Sequence, residues 1–324
     1  MQTSTSASVA ADPGFDAASR LAADVRARVE GVLRGKPDPV TLALVALLSG
    51  GHLLVEDVPG VGKTLLAKAL ARTVGGVFHR VQCTPDLLPS ELTGVSVFHL
   101  AGNEWEFRPG PLFAHVVLVD ELNRATPRTQ SALLEAMEER HVTVDGVTRD
   151  LPHPFFLVAT QNPFETIGTF PLVEGQLDRF AVVTHIGAPD ADTERALLLG
   201  EGGEDALTEL APVSDPVALA DAIATVRRIH CAPAVADYVI AIATATRSSP
   251  EIAIGASPRA SLALLHAAQA SALLSGRGYV VPDDVKRLAV PVLAHRLLLR
   301  DPATLREAQV FVAALVDGVP VPHP

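Results

Sequence analysis

The apolar positions of this chain follow two periodicities, which change over near Gly187–Pro189. Before that point short apolar runs alternate with amphipathic stretches. Ala17–Leu33 carries Leu21, Val25, Val29 and Val32 at helical spacing and predicts an amphipathic helix. Gly35-Lys36-Pro37-Asp38-Pro39 breaks it; Val40–Leu48 predicts a second, largely buried helix that Gly50-Gly51 ends. The runs His52–Glu56, Phe78–Cys83, Val116–Asp120, Phe155–Gln161 and Ala181–Ile186 predict strands, and Lys63–Val74 and Gln130–Glu139 predict helices between them. Val116–Asp120 is almost continuously apolar, as a parallel strand covered on both faces is. Strands alternating with helices predict an α/β fold on a parallel sheet. Past Pro189 the period is helical: Thr193–Leu199, Pro216–Ile229, Ala234–Thr246, Pro258–Ser275, Val285–Leu298 and Ala303–Val316. Gly200–Glu204 reads as an exposed loop, and no strong strand is expected there. The expected organisation is a disordered tail over 1–16, an α/β domain over 17–188 and a smaller all-helical domain over 189–324. Two hairpins are expected inside the α/β domain, about 93–110 and 139–154. The second turns at Asp145-Gly146, a strong two-residue signal.

Composition narrows the function classes. The 324 residues suffice for two domains with a sizeable core. A hydrophobic fraction of 48% and a mean hydropathy of +0.29 exclude a mainly disordered chain. No apolar run reaches the roughly 18–20 residues of a spanning helix, so no membrane insertion is expected. Met1–Gly14 lacks both the basic start and the apolar centre of a signal peptide. Cys83 and Cys231, far apart and without metal-ligand spacing, fit a reducing cytosol. A net charge of −11 counts against nucleic acid as the main partner. Lysine stands only at positions 36, 63, 68 and 286, so a lysine at a special position is not filler.

The strand His52–Glu56 runs into Asp57-Val58-Pro59-Gly60-Val61-Gly62-Lys63-Thr64-Leu65 and then a helix. Strand, glycine loop and helix in this order make a P-loop. Gly60 and Gly62 let the backbone wrap phosphate oxygens, and the helix start adds an anion cradle. Lys63 can reach the β- and γ-phosphates, and the Thr64 hydroxyl can bind Mg²⁺. The pattern's first glycine is Asp57, whose carboxylate should point away from phosphate. The bland alternative is a chance Gly-Lys-Thr before a surface helix. Val116–Asp120 ends in Asp120-Glu121. Alone this would be an ordinary solvated turn; behind a P-loop it reads as a Walker B site. Asp120 would hold the metal and Glu121 would polarise the attacking water. Asn162, ending the next strand, could orient that water, although Asn-Pro is also a common turn.

With these pieces in order, the chain resembles the MoxR family of AAA+ ATPases from about Val29 to Pro320. The resemblance rests on Val119-Asp120-Glu121-Leu122-Asn123-Arg124-Ala125, on Gln130–Glu139, on Ala159-Thr160-Gln161-Asn162-Pro163, on Gly168–Leu172 and on Gln176-Leu177-Asp178-Arg179-Phe180. It implies a parallel-sheet AAA+ domain followed by a helical lid, assembled into a ring, typically hexameric, with ATP between subunits. It implies that Arg179 is an arginine finger acting on the neighbour's nucleotide; the bland alternative is an ion pair with Asp178 or Glu174. It implies that Arg259, in Gly255-Ala256-Ser257-Pro258-Arg259-Ala260, is a sensor 2 residue pointing toward the γ-phosphate. It places Gly35 and Lys36 against adenine, where the family has Gly-Gln. Ring ATPases also suggest that both hairpins face a pore or partner; Trp105, the single tryptophan, sits on the first or else covers a local core.

The resulting expectation is an Mg²⁺-dependent ATP hydrolase that remodels, matures or activates protein complexes, often with a separate von Willebrand factor A domain partner. A metal-chelatase-like motor subunit is the alternative. A nucleic-acid motor is a third reading, disfavoured by the charge, and a low-turnover nucleotide switch is disfavoured by Glu121.

Overall fold

The computed structural model describes residues 13–165 and 168–322. Two helices open it, α1 (Pro13–Val32) and α2 (Pro37–Leu48). Then come β1 (Leu53–Glu56), α3 (Lys63–Thr73), β2 (Phe78–Gln82), the short α4 (Pro89–Thr93), and the hairpin of β3 (Gly94–His99) and β4 (Glu104–Pro109). β5 (Val116–Asp120), α5 (Pro127–Glu139), the hairpin of β6 (His141–Val144) and β7 (Val147–Asp150), β8 (Phe156–Gln161), α6 (Glu174–Leu177) and β9 (Val182–Thr184) complete the first part. The second part holds α7 (Ala191–Leu198), α8 (Gly203–Glu209), α9 (Pro216–Val226), α10 (Pro233–Ser248), β10 (Ile252–Ile254), α11 (Pro258–Leu274), α12 (Pro282–Leu293), β11 (Leu298–Leu299) and α13 (Leu305–Asp317).

Five strands form one parallel sheet in the order β2-β5-β8-β1-β9. Register fixes which ends lie together: Gln82 is opposite Asp120, Glu56 opposite Gln161, and Leu53 opposite both Val158 and Val182. One edge therefore gathers the strand ends that lead into chemistry, and the other gathers the strand starts. Alternate residues face opposite layers, as a strand's two-residue period requires. Leu53, Val55, Val116, Leu118 and Val158 join Leu66 and Leu70 of α3 and the N-terminal helices. Leu54, Val117, Val119, Leu157 and Ala159 join Leu133 and Met137 of α5. With both faces covered, the near-continuous apolar strands are explained.

Three expectations need correction. α1 begins at Pro13, so residues 13–16, read as tail, are helical; the rest of that stretch lies outside the described residues. Part of the Gly200–Glu204 loop opens α8. In the helical part β10 and β11 pair antiparallel where no strand was expected. Their pairing is non-local and three residues long at most, too short for a periodicity to register.

His52, fully buried at the start of β1, accepts the Leu157 amide at Nδ1 (3.0 Å), leaving Nε2 to donate to the Met137 carbonyl (3.1 Å). Burial, aided by the Arg140 charge, pushes its pKa down to about 3. The unfolded chain takes up this proton near the ordinary value of 6.5. The contribution of His52 to stability is therefore complete above that pH and is lost as the pH drops from about 6.5 toward 3, several kcal/mol over the whole window. Urea midpoints at pH 7 and pH 5 should differ more for the natural chain than for His52→Gln; equal differences would show the histidine is not the cause.

Candidate nucleotide-binding site

The loop after β1 enters α3 through Gly62, which has φ +103° and offers no side-chain cap. The first amides of α3 are thus left for an anion, and a glycine is favoured because φ +103° strains any residue with a Cβ. Gly60 has φ +89° and open space where its Cβ would be. Lys63 Nζ donates to the Asp57 carbonyl at 2.7 Å. Burial lowers the Lys63 pKa, opposed by the charges of Asp120, Asp57 and Glu121, which face it. The Asp57 carboxylate points away from the loop's mouth, as expected. It accepts from the amides of Val58 (3.0 Å), Ile186 (2.8 Å) and Gly187 (2.7 Å). The stretch implied to flank adenine comes near the loop at Leu33, whose Cδ1 would lie 2.9 Å from a Cβ at Gly62, while Lys36 donates to the Ala188 carbonyl.

At the end of β5 one hydroxyl organises both acids. Thr160 Oγ1 donates to Asp120 Oδ1 (2.8 Å) and accepts the Glu121 amide (2.9 Å). Glu121 has φ +55°, an uncommon backbone for a residue with a side chain, and turns the chain out of the strand. Its carboxylate accepts from Gln82 Nε2 at 2.8 Å and lies 3.2 Å from Arg124 Nε. Arg80 donates to Asp120 Oδ2 through Nε (3.0 Å) and Nη2 (2.8 Å). A cation thus already leans on Asp120. The carboxylate of Asp120 and the hydroxyl of Thr64 are hard oxygen donors at a site that draws positive charge, and they fit Mg²⁺.

Thr160, Arg80 and Gln82 were not singled out from sequence. For Arg80 and Gln82 the available signal was that His79, Arg80 and Gln82 are polar in an otherwise buried sheet. Asn162 stands at the correct strand end, but its Oδ1 accepts the Phe164 amide (3.2 Å) within its own turn.

Arg179 and Arg259 lie elsewhere. α5 runs back from the acidic edge, and its end is held at the strand starts. Arg140 donates to the carbonyls of Phe155 and Gly50, and His52 bonds Met137. Glu138 therefore sits at the opposite edge, at least the length of β1 away, about 13 Å for four residues. Arg179 Nε donates to Glu138 Oε2 (2.9 Å), and Arg259 Nη1 donates to Oε1 (2.8 Å). Arg179 thus pairs with neither Asp178 nor Glu174. Arg259, which the resemblance directs at a γ-phosphate, is thus held beside Glu138, on the side of the sheet opposite Lys63. Ser257 caps α11, accepting the Ala260 amide at 3.1 Å, and this start of the helix packs toward Glu138 and Asp178.

Trp105 is 71% exposed and touches Phe98 of its own hairpin, ring centroids 5.1 Å apart, so it covers no core. The two hairpins meet where the Arg149 guanidinium lies 3.9 Å over Phe107.

A glycine phosphate loop, an acidic strand end beside it and a helical domain behind define a P-loop ATPase with a lid. Residues 52–182 match the ATPase family associated with various cellular activities (AAA), and residues 244–312 match the AAA lid domain. The chain is 46% identical to the uncharacterised protein YeaC of Bacillus subtilis, spanning 91% of this chain and 92% of that one. It is 39% identical to chaperone MoxR1 of Mycobacterium tuberculosis, over 97% of this chain and 86% of the relative. The crystal structure of a candidate ATPase from Cytophaga hutchinsonii superposes with a TM-score of 0.85 at 30% identity, covering 96% and 97% of the two chains. The chain belongs to the AAA+ ATPases and is MoxR-like by homology. No helix among the described residues is long and apolar enough to cross a membrane.

Proposed function

We propose that this chain is an Mg²⁺-dependent ATP hydrolase of MoxR type that works as a cytoplasmic ring, hexameric by resemblance. It uses ATP to mature or activate protein complexes, with a von Willebrand factor A domain protein or a client complex as a separate partner. One observation carries the reading: Lys63, Asp120 and Glu121 converge on one edge of the sheet, while Arg179 and Arg259 converge on the other. A nucleotide held by the first set lacks the arginines unless a neighbouring subunit brings them.

In this reading Lys63 leaves the Asp57 carbonyl for the β- and γ-phosphates, and the α3 amides hold the same oxygens. Thr64 and Asp120 would hold Mg²⁺, whose charge would offset that of the transferring phosphoryl group. Glu121, kept at the sheet edge by Gln82, takes the proton of the attacking water. Arg179 and Arg259 of the next subunit stabilise the equatorial charge.

The test is to mix two variants. Arg179→Ala and Glu121→Gln should each be inactive alone. Mixed equally, they should regain about a quarter of the natural rate, the share of head-to-tail interfaces made whole by random assembly. No recovery at any ratio, in variants shown to exchange subunits, would place the arginine in its own subunit's site.

A further inference from the structure

We infer that Glu138 is a positioning residue for hydrolysis: its carboxylate bridges Arg179 and Arg259 and sets the spacing at which the two meet a neighbour's terminal phosphate. This rests on the reading of those arginines as acting on a neighbouring subunit.

The bridge uses both oxygens of one side chain. Oε2 takes Arg179 Nε at 2.9 Å and Oε1 takes Arg259 Nη1 at 2.8 Å. The arginines come from different parts of the fold, Arg179 from the segment entering β9 and Arg259 from the first turn of α11. Two guanidinia repel, and Glu138 is the acid that hydrogen-bonds both of them. Both side chains stay partly open to solvent, 34% for Arg179 and 54% for Arg259, so they can turn toward an incoming anion. Arg179 is further steadied by Nη1 donating to the Gly175 carbonyl at 3.0 Å.

The surrounding charges single out Glu138. Glu135 and Glu139 line the same cavity, of about 310 Å³, yet form no ion pair with either arginine among the described residues. Asp178 lies 3.8 Å from Arg259 Nε, but its other oxygen is taken by Arg296 Nε at 2.8 Å. Arg296 is itself buried and bonded to the carbonyls of Phe180, Ala181 and Val292, so it anchors the frame and cannot reach outward. Helix geometry adds a second argument. Glu138 stands in the last turn of α5, where the helix dipole disfavours an acid. Local helix stability does not explain a carboxylate there; the two arginines do, and their hydrogen bonds and charges hold its pKa below the ordinary carboxylate value.

An arginine misplaced by about 1 Å costs on the order of 100-fold in rate, and the effect belongs to the transition state. Glu138→Gln keeps the shape but removes the charge and leaves one acceptor oxygen for the two guanidinia. It should lower kcat by about 10- to 100-fold. KM for ATP should change less than about twofold, because the phosphate loop is untouched. Glu138→Asp, which keeps the charge on a shorter arm, should fall between.

Mixing separates this role from a merely structural one. Glu138→Gln mixed with Glu121→Gln should gain activity above the mean of the two, because some interfaces pair an intact Glu121 with an intact Glu138. Mixed with Arg179→Ala it should gain none, since both defects lie on the arginine side. A natural or raised kcat for Glu138→Gln, an Asp variant as slow as the Gln variant, or recovery with Arg179→Ala would overturn the inference. The Arg179→Ala and Glu121→Gln mixture is the control. If it fails to recover, the neighbour reading falls and this inference with it; if it recovers while Glu138→Gln stays fast, only the inference falls.

Discussion

Glu121→Gln retains ATP and fails to hydrolyse it. The glutamine is isosteric and can still accept the Gln82 amide that now holds Glu121 Oε2 at 2.8 Å, so the left-handed turn at φ +55° has no reason to move. What disappears is a carboxylate able to take the proton of the attacking water. General-base catalysis is worth roughly 10²–10⁴-fold, and turnover should fall by that much. Affinity for ATP should stay within a few-fold, because Lys63, Thr64 and Asp120 are unchanged. A fluorescent-nucleotide titration and a phosphate-release assay on the same preparation measure both halves. Hydrolysis within tenfold of the natural rate would require another base.

Lys63→Ala has the opposite signature, loss at the binding step. The free chain holds the Lys63 ammonium on the Asp57 carbonyl at 2.7 Å, among the charges of Asp57, Asp120 and Glu121. Removing it deletes the phosphate loop's own cation and leaves the acids of Asp120 and Glu121 beside the phosphates without it. Charge-assisted hydrogen bonds contribute roughly 1.5–3 kcal/mol each, so losing contacts to two phosphates should weaken binding about 100-fold or more. The fold should survive, because the loop's other ties, from Asp57 to Ile186 and Gly187, remain. Micromolar binding of ATP by the variant would remove Lys63 from the site.

Much of the site was legible because its chemistry is local. A phosphate cradle needs glycines and a lysine within a few residues of one strand end, and Gly60, Gly62 and Lys63 stand there in sequence. The acids at 120 and 121 follow an apolar strand for the same reason. Thr160 and Gln82 act across strands, and which strand lies beside which is not written in any one segment. Asn162 stands at a strand end, and what only the structure adds is that its Oδ1 accepts the Phe164 amide of its own turn.

The amino-acid order by itself determined the alternation of strands and helices, the change to a helical part after Pro189, the phosphate loop and the acidic strand end. Those features depend on periodicity and on neighbours a few residues apart. Only the tertiary structure decided the strand order β2-β5-β8-β1-β9, and with it the partners of Asp120 and Glu121. It also decided that Arg259, which the sequence motif had directed at the γ-phosphate, shares Glu138 with Arg179 at the far edge of the sheet. The reason is polarity: a parallel sheet sends every strand end to one side, and α5 carries Glu138 back to the other. No local pattern records that return, since it joins residues 138, 179 and 259 through the path of the whole chain.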